Sequence, residues 1–304
     1  MNAEAKPLVS IVMPSYNQGR FLAEAIESVL DQEYPNLELL VLDGGSTDDS
    51  VDIIRSYEDR LAYWVSERDG GQPNALNNGF ARARGELLGW LNSDDTLLPG
   101  AVTAVVGALE ARDDALLAFG GTYETDENGD RLRYVPPFEM SVDEMLRTST
   151  YMTNQQGCLF RRRALELVGP MQEHRDLYFD AWFWISVALA GPVIAVHRPL
   201  ATYRLHEASK TVMVSRDKAL EYAHLTDDVF AALPPESPLR RYEREGRAHS
   251  RVWAAVLFDA AKDPRTARAY ALEAARLYPR IVSRRWLWLL LRSLVPSRLR
   301  ERLV

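Results

Sequence analysis

The chain has 304 residues, 47% hydrophobic and 26% charged, enough for one large α/β domain or a domain of about 200 residues with an appendage, and this balance excludes disorder and coiled coil. A formal net charge of -7 excludes a general nucleic-acid binder, because neutralising phosphates takes an excess of clustered Lys and Arg. Cys158 is the only cysteine, so no intrachain disulfide forms; with no signal pattern at the start and no apolar run near the roughly 20 residues of a membrane span, the expected location is cytoplasmic.

The first hundred residues alternate strand and helix signals. LVSIVMP is an apolar run closed by Pro14, and a helix follows from about Phe21 to Asp31, with Phe21, Leu22, Ala25, Ile26, Val29 and Leu30 on one stripe. LELLVLD is a second strand, and the Ser, Thr and Asp residues of GGSTDDS can cap the helix VDIIRSY. LAYWVSE and ELLGWLNS read as third and fourth strands, with helical PNALNNGFARA between them. Near-continuous apolar strands alternating with helices give a parallel sheet covered on both faces, whose ligands bind at the carboxyl ends of the strands. Asp43 and Asp94 both fall at such ends.

A helix is expected from about Pro99 to Arg112, then a strand at ALLAFGGTY, and DENGD carries the Asn-Gly signal of a hairpin. Ser141 and Glu144 stand at capping-box spacing. FDAWFWISVALAG is an aromatic-rich helix ended by Gly191 and Pro192, and VIAVHRPLATYRLH reads as strand, turn and strand. Arg161, Arg162 and Arg163 are most simply a solvated helix entrance. From about Ser215 amphipathic helices take over, including a helical hairpin around an Asp-Pro turn.

In GWLNSDDTLLPG two like charges end a buried run. Asp94 and Asp95 either begin a turn and cap the next helix or hold a cation; Mg2+ and Mn2+ favour oxygen ligands, often one or two carboxylates plus substrate phosphates. SIVMPSYNQGRFLAEAIESVLDQEYPNLELLVLDGGSTDDS followed by GELLGWLNSDD resembles the amino-terminal half of family 2 glycosyltransferases, and the likeness extends over about residues 8 to 210. It implies an inverting, nucleotide-sugar dependent enzyme with the GT-A fold. That fold is an α/β, Rossmann-like, mostly parallel sheet flanked by helices, here with an α-helical C-terminal extension. Residues 1–214 would form the transferase domain, with a nucleotide half at about 8–98 and an acceptor half at about 99–214, and 215–304 the helical region.

The resemblance also implies roles. Pro14, Ser15 and Tyr16 would line the nucleotide pocket, and Asp43 would accept a hydrogen bond from the base, helix capping being its other reading. Family members often carry a second Asp next, where this chain has Gly44. Gln72 and Asn77 would continue the donor pocket, beside glycines that permit close backbone approach. In the Asp-X-Asp-like motif Asn92 would hydrogen-bond the ribose or bind weakly, Asp94 would touch the ribose or the sugar or assist the metal, and Asp95 would bind the divalent cation, Mn2+ or Mg2+, directly, with His206 completing its shell. Arg204 and Lys210 would meet diphosphate oxygens. Asp180, four residues before Trp184, would be the catalytic base, although Phe179 and Ser186 replace the Glu and Arg of the pattern; Asp176 is the reserve, and an N-cap is the structural alternative for Asp180. Gln155 and Gln156 would either touch an acceptor hydroxyl or satisfy backbone groups.

The partners that the resemblance implies are a nucleotide-sugar donor, a uridine diphosphate sugar before others, and a saccharide or lipid-linked saccharide acceptor of surface polysaccharide or glycolipid. The tail RRWLWLLLRSLVPSRLRERLV suits peripheral membrane contact, packing on its own domain, or a homodimer, with packing favoured. The competing readings are a nucleotidyltransferase or nucleotide-sugar pyrophosphorylase, which would need a Gly-rich, basic loop where PSYNQGRF has one Gly and one Arg, and a non-catalytic sugar-binding protein. Absence of Gly-x-Gly-x-x-Gly after the first strand disfavours hydride transfer, and five histidines without ligand spacing disfavour zinc.

Overall fold

The computed structural model describes residues 6–139, 141–151, 154–207, 209–210, 215–283 and 286–287. They fall into two compact units, one formed by the chain up to Glu139 with Met152–Ser209, the other by Met140–Tyr151 with Lys210 onwards.

The first unit is α/β. It opens with β1 (Val9–Ser15), α1 (Gly19–Leu30), β2 (Leu37–Asp43), α2 (Ser50–Ser56), β3 (Tyr63–Ser66), α3 (Gln72–Arg82) and β4 (Leu87–Trp90). These are the strands and helices that the apolar runs predict. It continues with β5 (Thr96–Leu97), α4 (Ala101–Glu110), β6 (Leu117–Thr125), β7 (Arg131–Val135), β8 (Leu159–Arg161), α6 (Arg162–Val168), α7 (Phe179–Ala190) and β9 (Val193–Arg204). Among the described residues the strands make one sheet in the order β3-β2-β1-β4-β8-β6-β9-β5, with β7 hung on β6. It is parallel from β3 to β4 and again between β6 and β9, and β8 runs antiparallel to both its neighbours.

Burial on both faces explains the continuous apolar strands. Val9, Ile11 and Met13 of β1 join α1 and α4 side chains in one core cluster, while Val12 faces a second cluster with Phe80, Trp90, Phe160, Phe183 and Trp184. The polar exception in β1 is satisfied: buried Ser10 donates to Glu38 Oε1 at 2.6 Å and accepts from Gly85 N at 2.7 Å. Helix α3 lies so close to the sheet that a Cβ on Gly79 would stand 2.4 Å from Val12 Cγ1.

Three local expectations change. VIAVHRPLATYR is one strand, with β-bulges where the register jumps from Val196 to Pro199 and then to Ala201, so the apparent turn at Pro199 stays in the sheet. Arg161 and Arg162 are half-buried tethers, their guanidinium groups donating to backbone carbonyls of Ala115 and Leu109 and of Gly85 and Ala83, while Arg163 is exposed at the helix entrance as expected and also donates to Asp113 O. Two-residue β5 is too short for any pattern to announce, and the following helix starts at Ala101, past Pro99.

The second unit is helical: α5 (Val142–Thr148), α8 (Arg216–Ala232), α9 (Glu243–Ala260) and α10 (Pro264–Leu277). Ser141 and Glu144 form the full capping box on α5. Between α9 and α10, Lys262 has a left-handed φ of 61° and Asp263 caps Thr266 N at 3.2 Å, which realises the Asp-Pro turn. Buried Ala219, Ala223, Ala254 and Ala267 pack beside Phe258, and Ala248, Ala255, Ala271 and Ala274 beside Trp286. Apart from Trp286 and Leu287, the basic and apolar tail from Arg284 lies outside the described residues. No helix among the described residues is long and apolar enough to cross a membrane.

Candidate active site

Four parallel strands end together, and the predicted donor residues sit on that edge. Ser15 pairs in register with Asp43, and Gly44 N donates to Ser15 O at 2.9 Å. Asp43, 2% exposed, accepts at Oδ2 from Gly45 N, Ser46 N and Ser66 Oγ at 3.1, 2.9 and 2.7 Å, and at Oδ1 from Ser46 Oγ at 2.5 Å. It shapes its own loop and ties β2 to β3; the N–H at the start of α2 goes instead to Asp48, Ser50 N to Oδ1 at 3.1 Å, so Asp43 is no helix cap. Ser15 Oγ is buried with no hydrogen-bond partner among the described residues, Pro14 is buried before it, and Tyr16 after it is 61% exposed. The space beside Gly44 belongs to Asp69, whose Oδ1 would lie 3.2 Å from a Cβ there.

The Asn92–Asp95 turn closes through Asp95 N to Asn92 O at 3.1 Å. Asp95 has no solvent exposure; Oδ1 accepts from Arg204 N at 2.9 Å, and Oδ2 from Gln156 Nε2 at 3.1 Å and Asn92 Nδ2 at 3.4 Å. Burial, and then the charge of Asp94, push its pKa well above the usual carboxylate range against the pull of those hydrogen bonds. Asp94 faces the other way, its Oδ2 meeting His206 Nε2 at 3.0 Å with 18% of its side chain exposed. Antiparallel pairing of Thr96 with Thr202 brings the end of β9 to this turn, reinforced by a 2.7 Å bond between their hydroxyls. The His206 ring stands 4.9 Å from that of Phe21.

Other expectations divide. Gln72, first residue of α3, donates to Asn92 Oδ1 at 2.8 Å, and so joins the motif. Asn77 does not turn to the pocket: its amide donates to Met171 O and Glu173 Oε1 and accepts from Met171 N, pinning α3 to the 171–173 segment. Arg204 is not disposed toward a diphosphate. It is 3% exposed, and its guanidinium donates to Asp94 O, Glu127 O and Glu24 Oε2 at 3.0, 3.1 and 2.6 Å. Gln155 and Gln156 serve interior groups, Gln155 donating to Trp90 O at 2.9 Å and Gln156 to Asp95. Lys210 falls in the second unit.

Asp180 lies in the first turn of α7; Tyr178 is the N-cap, so the N-cap alternative for Asp180 is set aside. Its Oδ1 accepts from Ala181 N at 2.7 Å, and an anion there is favoured by the helix N-terminus. One turn on, Trp184 stacks flat on Trp90 of β4, centroids 4.8 Å apart and planes 4° apart, tying the start of α7 to the strand that leads into Asn92. Asp176 precedes α7 in the same unit.

Sequence reasoning missed Glu24, Phe21 and the role of Gln156, because each gains its place from a partner far along the chain. Only Phe21 left a signal, as part of the α1 apolar stripe, and that signal reads equally as core. Among the described residues no three His, Cys, Asp or Glu side chains form a metal cage. Asp94 Oδ2 and His206 Nε2, 3.0 Å apart, are two atoms of a kind that can bind a cation whose remaining shell is phosphate and water.

Residues 10–169, more than half of the chain, match the model of Glycosyl transferase family 2. An uncharacterized glycosyltransferase of Rickettsia typhi, RT0329, is 30% identical over 211 residues, which are 67% of this chain and 66% of that protein. One of Rickettsia felis is 38% identical over 217 residues, 69% of this chain but 36% of the relative, so the chain spans less than two thirds of either. TuaG of Bacillus subtilis, provisionally named for teichuronic acid biosynthesis, is 28% identical over 206 residues, 66% of this chain and 80% of TuaG. S. aureus TarS in complex with UDP-GlcNAc aligns with a TM-score of 0.66 at 16% identity, over 96% of this chain and 85% of that one. The mannosyltransferase PcManGT from Pyrobaculum calidifontis, in complex with GDP-Man and Mn2+, gives 0.61 at 18%, over 94% and 84%. At these identities the likeness establishes the fold, a Rossmann-like GT-A sheet with a helical region toward the C-terminus.

Proposed function

Because the chain belongs to glycosyltransferase family 2, we propose that it moves a sugar, with inversion, from a uridine diphosphate donor to a hydroxyl of a saccharide or lipid-linked saccharide in surface polysaccharide or glycolipid assembly. The convergence of Asp94 Oδ2 and His206 Nε2 at the carboxyl edge of the sheet is the observation that carries this reading. We assign the Mn2+ or Mg2+ contact to Asp94 with His206, and not to Asp95, which is sealed from solvent. The cation, when bound, would neutralise diphosphate charge as the leaving group departs. The TuaG likeness supports a role in polysaccharide assembly, and the uridine donor rests on the family resemblance, since TarS with UDP-GlcNAc and PcManGT with GDP-Man share the fold alone.

This chain's own groups would divide the remaining work. The spare acceptor capacity of Asp43 Oδ1 and the unpartnered Ser15 hydroxyl suit the nucleoside, with exposed Tyr16 at the pocket rim. Asp180 would take the proton from the acceptor hydroxyl as that oxygen attacks the anomeric carbon opposite the diphosphate. Its Oδ1 accepts from Ala181 N at 2.7 Å in the first turn of α7, and Oδ2 is the atom that would take the proton.

Thermal-shift titration with nucleoside diphosphates, with and without Mn2+, followed by transfer assays on Asp180→Asn, tests the reading. UDP should raise the melting temperature in a metal-dependent way, and Asp180→Asn should keep that shift while losing turnover. Failure of every nucleotide to shift the melt, or retained turnover in the variant, overturns it.

A further inference from the structure

We propose that Arg204 is a positioning residue that sets the geometry between Asp94 and His206, and that it does not hold the donor diphosphate. The inference rests on the metal site proposed above. From this one residue, contacts run to every part of that site. Its guanidinium clamps Asp94 O at 3.0 Å, and its backbone N–H holds Asp95 Oδ1 at 2.9 Å. Its carbonyl accepts from Ser209 Oγ at 3.3 Å, and the same hydroxyl accepts from His206 N at 3.3 Å, which closes the turn carrying the imidazole. Phe21 supports both ends, with the guanidinium 4.8 Å over its ring and the His206 ring 4.9 Å away.

The other two guanidinium contacts show why arginine is needed. Nη1 donates to Glu127 O in the β6–β7 turn at 3.1 Å and Nη2 to Glu24 Oε2 on α1 at 2.6 Å, so a planar fork braces three segments at once. A diphosphate would have to draw the group from a pocket where it is 3% exposed and break those bonds. Glu24, 62% exposed, is the one partner that can be altered without opening the interior. A side chain that orients ligands without touching the ion commonly governs metal affinity by about 10- to 100-fold.

The test is Mn2+ titration of the full chain at saturating UDP, followed by the electron paramagnetic resonance of free Mn2+, with calorimetry of uridine and UDP in the absence of metal. Arg204→Lys keeps the charge and loses the fork, so Mn2+ affinity should fall about 10- to 100-fold while the metal-free ratio of UDP to uridine affinity stays at the wild-type value. Retained Mn2+ affinity overturns the proposal, and so does a fall in that ratio, which is the mark of a direct phosphate contact. Should Arg204→Lys not fold, Glu24→Ala decides: a loss of about threefold or more supports the brace, and none overturns it. Asp94→Asn separates the two levels. If it leaves Mn2+ binding intact, the metal-site reading has failed; if it abolishes binding and Arg204→Lys is silent, the role of Arg204 alone has failed.

Discussion

Asp94 and Asp95 are adjacent yet carry different burdens, and replacing each by asparagine separates them. Among the described residues the hydrogen-bond neighbours of the Asp95 carboxylate are all donors: Arg204 N at 2.9 Å, Gln156 Nε2 at 3.1 Å and Asn92 Nδ2 at 3.4 Å. Asparagine offers one oxygen and one amino group, so in either orientation a buried donor meets another donor. That mismatch costs about 1–3 kcal/mol, or roughly 2–12 °C in Tm for a unit of this size. Asp94→Asn keeps an acceptor for His206 and removes a charge beside a buried carboxylate, so the ligand-free stability should move by less than about 0.5 kcal/mol. Under the proposed function, Mn2+ with UDP at about a hundred times Kd should stabilise the wild type by about 2.7 kcal/mol, and the metal-dependent part of that shift should vanish in Asp94→Asn. Differential scanning fluorimetry of the three proteins, free, with UDP, and with UDP plus Mn2+, reads both effects. The reasoning is refuted if Asp95→Asn melts with the wild type and loses the Mn2+ response while Asp94→Asn retains it.

Glu38 is buried, which by itself raises its pKa, but hydrogen bonds from Ser10, Arg84 N and the Arg84 guanidinium outweigh that and hold it below the usual range. A depressed folded-state pKa gives stability that is present above the unfolded value and lost as pH falls through the folded one. Glu38→Gln should therefore cost about 1.5–3 kcal/mol at neutral pH, with the gap to wild type closing on acidification in denaturant titrations. Gly79→Ala puts a Cβ 2.4 Å from Val12 Cγ1 and 3.0 Å from Leu42 Cδ2; overpacking should outweigh the gain in helix propensity and leave a net loss of about 1–2 kcal/mol by the same measurement. Gly44→Asp should weaken uridine binding in calorimetry, because its carboxylate would press on Asp69 and disturb the loop after Asp43, and Gly44→Asp with Asp69→Gly should recover it; an unaffected single variant would refute the link between that contact and the nucleoside.

Much of the scaffold was legible because period and burial are local properties. LVSIVMP and LELLVLD are apolar on both faces, a pattern that requires cover above and below, and they became β1 and β2 almost residue for residue. The motif that ends β4 was legible for the same reason: a buried run that stops at two carboxylates marks the strand end. What was not legible is direction. Arg204 reads as a diphosphate ligand by residue type, but its guanidinium is claimed by Glu24, 180 positions away, and no spacing rule reports such a partner. Asn77 is the same case, an amide that looks free in a polar run and is consumed by Met171. Adjacent side chains in a turn point apart, so the pattern Asp-Asp cannot say which one meets a ligand. The two-residue ladder of Thr96 and Leu97 with Thr202 and Ala201 sets the N–H of residue 204 against Asp95 and the imidazole of residue 206 against Asp94, and the proposed division of roles rests on that placement. The distinction between a carboxylate that seals the turn and one that faces the site is thus made by a strand arriving from a hundred residues away, and it is there, rather than in the motif, that the chemistry of the pair is divided.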